Sequence, residues 1–264
     1  MSGQRDWPYA RVLAHRGGGT LAPENTLAAI RVGIEHGFRA IEFDAMLPGD
    51  ETPVLMHDAA LGRTALRPGA VTDFTAAELA RFDVGRWHSP RYAGEGVPSL
   101  AATLAFCRRA GVWCNVEIKP APDREVATGR VVADGVARAY ADLLQAGGDR
   151  PDKVVPAVPL LSSFAIDALE AARAAQPDLP RGWLVDRVPS DWRARLDSLG
   201  CLALHTNHRH LTAARVAEIK AEGAWLFCYT VNEPARAREL LAWGVDAFCT
   251  DRIDLIAPDF AARG

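Results

Sequence analysis

With 264 residues, 49% of them hydrophobic, and a formal net charge of -3, the chain has room for one large domain of the size usual for an α/β barrel, spanning residues 1–264. The charge excludes a generally basic, nucleic-acid-coating surface, because affinity for a polyanion comes from Lys and Arg neutralising phosphates; any phosphate chemistry must be local. No apolar run reaches the length of a membrane span, and Met1–Arg11, with Arg5, Asp6 and Arg11 around Trp7 and Tyr9, lacks the apolar centre of an export signal, so the expected location is the cytoplasm, without a membrane partner.

In chain order, short apolar runs alternate with stretches of helical period, the pattern of βα units around a parallel sheet. Strands are predicted at Val12–Arg16, Ala40–Met46, Pro53–His57, Trp113–Lys119, Val158–Phe164, Gly182–Asp186, Leu202–His205, Trp225–Val231 and Ala247–Thr250, one more than an eight-stranded barrel holds. Pro48, Gly49 and Asp50 make a turn far shorter than the dozen or so residues a parallel crossover needs. The run ending at His57 is therefore predicted to return antiparallel, with Glu42 and His57 roughly opposite each other. What remains is a TIM-type (β/α)8 barrel with an antiparallel hairpin arm after the second strand.

Asn25 is predicted to cap the helix running to His36, before Gly37, and Asn232 to cap the helix Glu233–Trp243, before Gly244. From Asp58 to Pro98 the rhythm lapses into a Gly-, Pro-, Arg- and Trp-rich stretch with one short helical segment near Thr75–Phe82, predicted to be a small insertion at the barrel mouth. The five cysteines, Cys107, Cys114, Cys201, Cys228 and Cys249, show no CxxC spacing and lie mostly in apolar strand-like runs, which reads as reduced core thiols.

Functional groups of a barrel come from the carboxyl ends of its strands. Those ends hold His15 and Arg16, Glu42 and Asp44, His57, and Glu117 and Lys119. Strand alternation puts Glu42 and Asp44 on one face, with Ile41 and Phe43 turned away, and sets Asn115, Glu117 and Lys119 against Val116 and Ile118. Three carboxylates at one mouth would raise one another's pKa or hold a cation, and hard oxygen donors select Mg2+ or Ca2+ over Zn2+. A strand-end carboxylate standing alone is more often a solvated rim residue or a helix cap, so the weight falls on the three together. Lys119, one of only three lysines, ends a buried-looking strand and needs an anion there, either a phosphate or Glu117.

Gly17, Gly18 and Gly19 fit neither the dinucleotide nor the P-loop motif and read as a tight turn that leaves His15 and Arg16 unobstructed. His36, His88 and His210 read as surface or satisfied histidines. His205 and His208 lie near the mouth end of the seventh predicted strand, the sixth of the parallel ones, where a structural role is the better reading. Among Trp87, Phe164, Trp225 and Tyr229, a residue type usually found in the core, Phe164 and Tyr229 are kept as candidate pocket walls.

The stretches AHRGGGTLAPENTLAAI (Ala14–Ile30), IEFDAML (Ile41–Leu47), VLMHDAALGRT (Val54–Thr64), VEIKP (Val116–Pro120), LLSSF (Leu160–Phe164), YTVN (Tyr229–Asn232) and CTD (Cys249–Asp251), in this order, resemble the glycerophosphodiester phosphodiesterase family. The likeness runs from Leu13 to about Ile256 and is strongest to the short cytoplasmic bacterial enzyme that accompanies glycerol 3-phosphate uptake. It implies hydrolysis of a small-molecule glycerophosphodiester to glycerol 3-phosphate and an alcohol. By the same resemblance, His15 and His57 form the acid/base pair. Glu42, Asp44 and Glu117 hold a divalent Mg2+, Ca2+ or Mn2+ ion, and Arg16 and Lys119 hold the phosphate. Asp58–Pro98 corresponds to the family's insertion over the active site. The resemblance also allows attack by the substrate's own glycerol 2-hydroxyl through a cyclic phosphate, and leaves open which histidine acts first as base. Tyr229 departs from the Trp of many relatives, which bears on the alcohol preference and not on the catalytic set.

A metal-dependent amidohydrolase would need an HxH pair, whereas His15 is followed by Arg16 and Gly17. A non-catalytic phosphate-binding barrel would lack at least one of the two histidines or three carboxylates, and all are present. A relative acting on a larger lipid diester would carry an open apolar face in the insertion, where Arg63, Arg67, Asp73, Arg86 and His88 make the stretch polar.

Overall fold

The computed structural model describes residues 7–146 and 157–262, so Arg5 and Asp6 lie outside it. The strands are β1 (Val12–Ala14), β2 (Ala40–Met46), β3 (Val54–Leu55), β4 (Trp113–Ile118), β5 (Leu160–Ser163), β6 (Arg181–Val185), β7 (Ala203–Asn207), β8 (Trp225–Tyr229) and β9 (Ala247–Thr250). All but β3 pair in parallel, in the order β1-β2-β4-β5-β6-β7-β8-β9, and β9 returns to β1 to close the ring. This is the expected (β/α)8 barrel. Several strands stop short of their apolar runs because the polar last residues turn into the mouth; β1, for example, ends before Arg16, whose φ is 50°.

The hairpin arm is also present: β3 runs antiparallel to β2 through Ala45–Leu55 and Met46–Val54. Its register corrects the expected pairing by one residue. The loop is centred on Asp50 itself, so Phe43, not Glu42, stands level with His57, and the ladder has already ended at Leu55.

The covering helices are α1 (Leu27–Glu35), α2 (Ala76–Leu79), α3 (Leu100–Arg109), α4 (Glu125–Ala139), α5 (Ala141–Ala146), α6 (Ile166–Ala175), α7 (Trp192–Leu199), α8 (Ala213–Ala221) and α9 (Pro234–Trp243). Ile41, Phe43, Val116 and Ile118 are buried against this outer layer. Both expected asparagine caps are displaced by one residue. Thr26 caps α1 by accepting from the Ala29 amide at 3.0 Å, and Glu233 occupies the position before α9, where Pro234 starts the helix. At the other ends, Gly37 (φ 88°) follows α1 and Gly244 (φ 102°) terminates α9.

The amino ends of the strands are sealed by aromatics. Tyr9 stacks on Trp113 at 4.1 Å, and Trp7 meets Trp225 edge-on at 5.4 Å. The opposite end stays open to carry chemistry. Beside it, the segment after β3 builds a small core of its own from Leu61, Val71, Leu79, Val84 and Val97, joined to Met46 and Met56 of the hairpin region. Thr75 and Glu78 cap its short helix α2 reciprocally, at 3.3 and 2.8 Å.

Candidate active site

His15 follows β1 directly, and the glycine-rich turn after it brings Arg16 back over the mouth. Gly19 (φ 55°) is required there, because a Cβ would stand 2.1 Å from the carbonyl oxygen of Asp251. His15 Nδ1 lies 2.5 Å from Asp251 Oδ1, and its Nε2 lies 3.7 Å from Glu42 Oε2. Asp251 is itself held by Asn232, whose Nδ2 donates to Oδ2 at 2.9 Å and whose Oδ1 accepts the Asp251 amide at 2.8 Å. The carboxylate fixes the proton on Nδ1 and leaves Nε2 facing the cavity. Burial alone would lower the His15 pKa, but the Asp251 bond and the Glu42 charge outweigh it and raise it.

Glu42 and Asp44 share one face of β2, and Glu117 comes from β4, where it pairs in register with Asp44. One carboxylate oxygen from each of the three lies within 4.8 Å of the others. Asp44 and Glu42 are buried, and Glu42 Oε1 has no hydrogen-bond partner. Burial and the Asp44 charge push Glu42 up to about 8 and Glu117 up to about 7. Burial would raise Asp44 as well, but Arg16 and Lys119 outweigh it and hold Asp44 low.

Such a cluster keeps all three groups ionised at neutral pH only if further positive charge joins it. A divalent cation with oxygen ligands meets that need, and the unpartnered Glu42 oxygen is a free ligand atom. The donor set therefore fits a divalent metal.

Two cations flank the carboxylates. Lys119 Nζ donates to Glu117 at 2.8 Å and lies 3.8 Å from Asp44, so its resting partner is the carboxylate. Arg16 donates to Glu24 at 2.7 Å and places Nε 3.5 Å from Asp44. Asn25, φ 57°, brackets Asp44, donating to Oδ2 at 2.8 Å and accepting the Asp44 amide at 3.0 Å.

His57 leaves the hairpin arm and lines the same cavity, with Nδ1 2.6 Å from Asp58 Oδ1. Arg63 Nε donates to Asp58 at 2.5 Å, and its two terminal nitrogens grip Glu24 at 2.5 and 2.8 Å. One bonded chain thus runs from His57 through Asp58, Arg63 and Glu24 to Arg16. Burial lowers the His57 pKa, outweighing the opposing pull of Asp44. The two histidines are therefore shifted in opposite directions.

Of these groups, His15, Arg16, Glu42, His57, Glu117 and Lys119 line a cavity of 250 Å3. Phe164, 44% exposed, and Tyr229 form one wall, their rings edge to face at 5.7 Å, with the Tyr229 hydroxyl donating to the Val185 carbonyl at 2.9 Å. A second cavity of 420 Å3, bordered by Thr20, Glu24, Trp87, His88 and Asp251, shares His15 and Arg16 with the first. Every residue expected at the site converges here. His88 meets the Thr20 carbonyl at 3.0 Å, His36 meets the Val32 carbonyl at 2.9 Å and His210 pairs with Asp186 at 3.3 Å, away from the carboxylates. His208 lies against Arg236, whereas His205 lines the 250 Å3 cavity.

Asp251, Asn232, Asp58, Arg63, Glu24 and Asn25 carry no role in the sequence-based reading beyond the two asparagine caps. All six lie inside the quoted motif stretches, but only tertiary contact reveals what they hold.

Residues 15–255 match the Glycerophosphoryl diester phosphodiesterase family. The structure superposes on an Oleispira antarctica phosphodiesterase, solved in complex with the product sn-glycerol-3-phosphate, with a TM-score of 0.82 and 31% identity over 96% of this chain and 97% of that one. In sequence the chain is 28% identical to a glycerophosphodiester phosphodiesterase of Caldanaerobacter subterraneus, covering 91% of this chain and 93% of the relative. It is also 28% identical to one of Bacillus subtilis, covering 92% and 84%. The family's motifs thus coincide with the bonded cluster at the barrel mouth, and the chain belongs to the glycerophosphoryl diester phosphodiesterase family.

Proposed function

We infer that this chain hydrolyses glycerophosphodiesters to sn-glycerol 3-phosphate and an alcohol, with His15 and His57 as the acid/base pair. The observation that carries this reading is the meeting of three carboxylates within 4.8 Å of one another, two of which line one cavity together with two histidines and two cations.

A phosphodiester is a monoanion, so its reaction needs positive charge placed before the substrate arrives. Arg16 and Lys119 supply it from opposite sides of Asp44. A divalent ion held by Glu42, Asp44 and Glu117 would polarise a phosphate oxygen and offset the charge gained in the transition state. Mg2+, Ca2+ and Mn2+ all suit the oxygen donors. His57, held toward the neutral form, takes the proton of the attacking hydroxyl; His15, held toward the protonated form by Asp251, gives one to the departing alcohol. Phe164 and Tyr229 border the glycerol phosphate half, and the alcohol leaves through the 420 Å3 cavity next to Trp87 and His88.

The same reading places the enzyme in the cytoplasm as one catalytic domain serving glycerol 3-phosphate supply. Support comes from five buried, free cysteines, as a reducing compartment favours, and from the absence of any helix among the described residues long and apolar enough to cross a membrane. Over the insertion, Arg67 lies 3.8 Å above the Phe82 ring and 5.1 Å from Phe74, covering apolar surface that a lipid chain would need.

The test is release of the free alcohol, choline or ethanolamine, by metal-stripped and metal-restored protein from glycerophosphocholine, glycerophosphoethanolamine and lysophosphatidylcholine, with sn-glycerol 3-phosphate as the companion product of the first two and lysophosphatidic acid that of the third. The expected result is metal-dependent turnover of the first two. Full turnover after exhaustive chelation would refute the metal role, and preference for the lysolipid would refute the substrate class.

A further inference from the structure

At the bottom of the 250 Å3 cavity, three buried side chains have polar atoms with no hydrogen-bond partner: Asn115 Oδ1, Ser162 Oγ, and both ring nitrogens of His205. Each residue is nearly inaccessible, at 3%, 0% and 1% exposure, so bulk water does not satisfy them. Buried polar groups in native proteins are nearly always paired, and three orphans on one cavity floor call for a guest.

The sequence builds this floor on purpose-fitting positions. Asn115 is two residues below Glu117 on the inward face of β4, and Ser162 on β5 pairs in register with Glu117 on one side and Gly182 on the other. A Cβ on Gly182 would stand 2.5 Å from His205 Nε2. The missing side chain therefore lets the His205 ring, from β7, lie across β6 toward Ser162. Phe227 stacks on the other side of that ring at 4.6 Å and fixes it.

The floor's chemistry narrows the guest. Burial presses the His205 pKa down to about 3, so the ring is a neutral donor and acceptor. Asn115 offers a carbonyl oxygen, and Ser162 a hydroxyl. No charged group is among them, which suits neither an anion nor a cation. It suits a hydroxyl, which donates and accepts at once.

We propose that Asn115, Ser162 and His205 form a specificity floor that binds the terminal hydroxyl of the substrate's glycerol, the end of the three-carbon chain farthest from phosphorus. This rests on the phosphodiesterase reading above, with the phosphate at Arg16 and Lys119 and the glycerol pointing inward. A site built to pair a hydroxyl rejects the analogue lacking it far more strongly than an apolar pocket rejects a missing methylene.

The experiment compares glycerophosphocholine with its 1-deoxy analogue, in which the terminal hydroxyl is replaced by hydrogen. The wild-type metal-loaded enzyme is expected to prefer the parent by roughly tenfold or more in kcat/KM, mostly through KM. In Ser162→Ala and His205→Phe that preference shrinks toward one, and Gly182→Ala, which drives a methyl into the His205 ring, has the same effect. Because the readout is a ratio of two substrates, partial unfolding of a variant cancels. Equal use of both substrates by the wild type, or an undiminished preference in folded Ser162→Ala and His205→Phe, overturns the proposal and leaves the floor to internal water. Failure of the wild type to hydrolyse glycerophosphocholine at all would instead overturn the reaction on which it rests.

Discussion

His15 and Asp251 bind the first and last strands of the barrel together at its mouth, with Nδ1 2.5 Å from Oδ1. The carboxylate orients the imidazole and favours its charged form, and Asn232 removes the carboxylate's own freedom. Asp251→Asn keeps the shape and loses the charge. We expect kcat to fall roughly 10- to 100-fold with KM little changed, and His15→Ala to fall further, by roughly 100- to 10,000-fold. Steady-state kinetics on folded variants decide this, and an Asp251→Asn enzyme with wild-type kcat would make the bond purely structural.

Arg63 is the link between His57 and Arg16, through Asp58 and Glu24. Its side chain is 43% exposed, so its ion pairs add little stability, on the order of 1 kcal/mol or less. Its removal should nonetheless loosen His57 and Arg16, the two residues at the ends of the chain that are proposed to meet the substrate. Arg63→Ala is expected to lower kcat/KM about tenfold with a shift in Tm of only a few degrees. Arg63→Lys, which keeps the charge but not the forked geometry, should recover only part of the loss. A large Tm loss with unaltered kinetics per folded molecule would count against this role.

The barrel and the metal cluster were legible because both depend on local periodicity. Alternation along β2 and β4 puts Glu42, Asp44 and Glu117 on inward faces whatever the details of the loops, and a seven-residue loop cannot hold a crossover, so β3 had to turn back. Asn25 and Asn232 show where that reading stops. Each sits just before a helix, as a cap would, yet each spends its amide on an acid far away in sequence, Asp44 or Asp251. A short polar side chain has the same local signature in both roles, and only the closed ring decides between them. His205 is the parallel case: a strand histidine reads as structural until the missing Cβ of Gly182 shows where its ring lies.

His205 also predicts a pH dependence of stability. Its folded-state pKa is depressed to about 3 from 6.5, so the native protein binds fewer protons than the unfolded chain between those values. The sign follows: this group costs nothing above pH 6.5, and stability falls as pH drops from 6.5 toward 3, by at most about 1.4 kcal/mol per pH unit. Denaturant unfolding of wild type and His205→Phe across that window should show a steeper acid loss for the wild type. Parallel curves would mean that the ring is paired or charged in the folded state.

The last prediction concerns the nucleophile. His57 and His15 both line the cavity, beside the carboxylates of Glu42, Asp44 and Glu117, which meet within 4.8 Å of one another. The substrate's glycerol 2-hydroxyl sits on the carbon next to the phosphoester carbon, so it is already tethered near phosphorus. A tethered hydroxyl avoids the entropy cost of fixing a separate water, and intramolecular placement of this kind can supply much of a rate enhancement. Recognition then concentrates on the glycerol phosphate half, and varied alcohols are tolerated at the mouth. A substrate whose 2-hydroxyl is removed or methylated should bind with near-parent affinity and turn over at least 100-fold more slowly, the order of magnitude that loss of a positioned reactive group carries. Phosphorus NMR during turnover of glycerophosphocholine should show a transient cyclic phosphate. Comparable turnover of the 2-deoxy analogue, with no cyclic species, would assign the attack to water while leaving the phosphodiesterase itself intact.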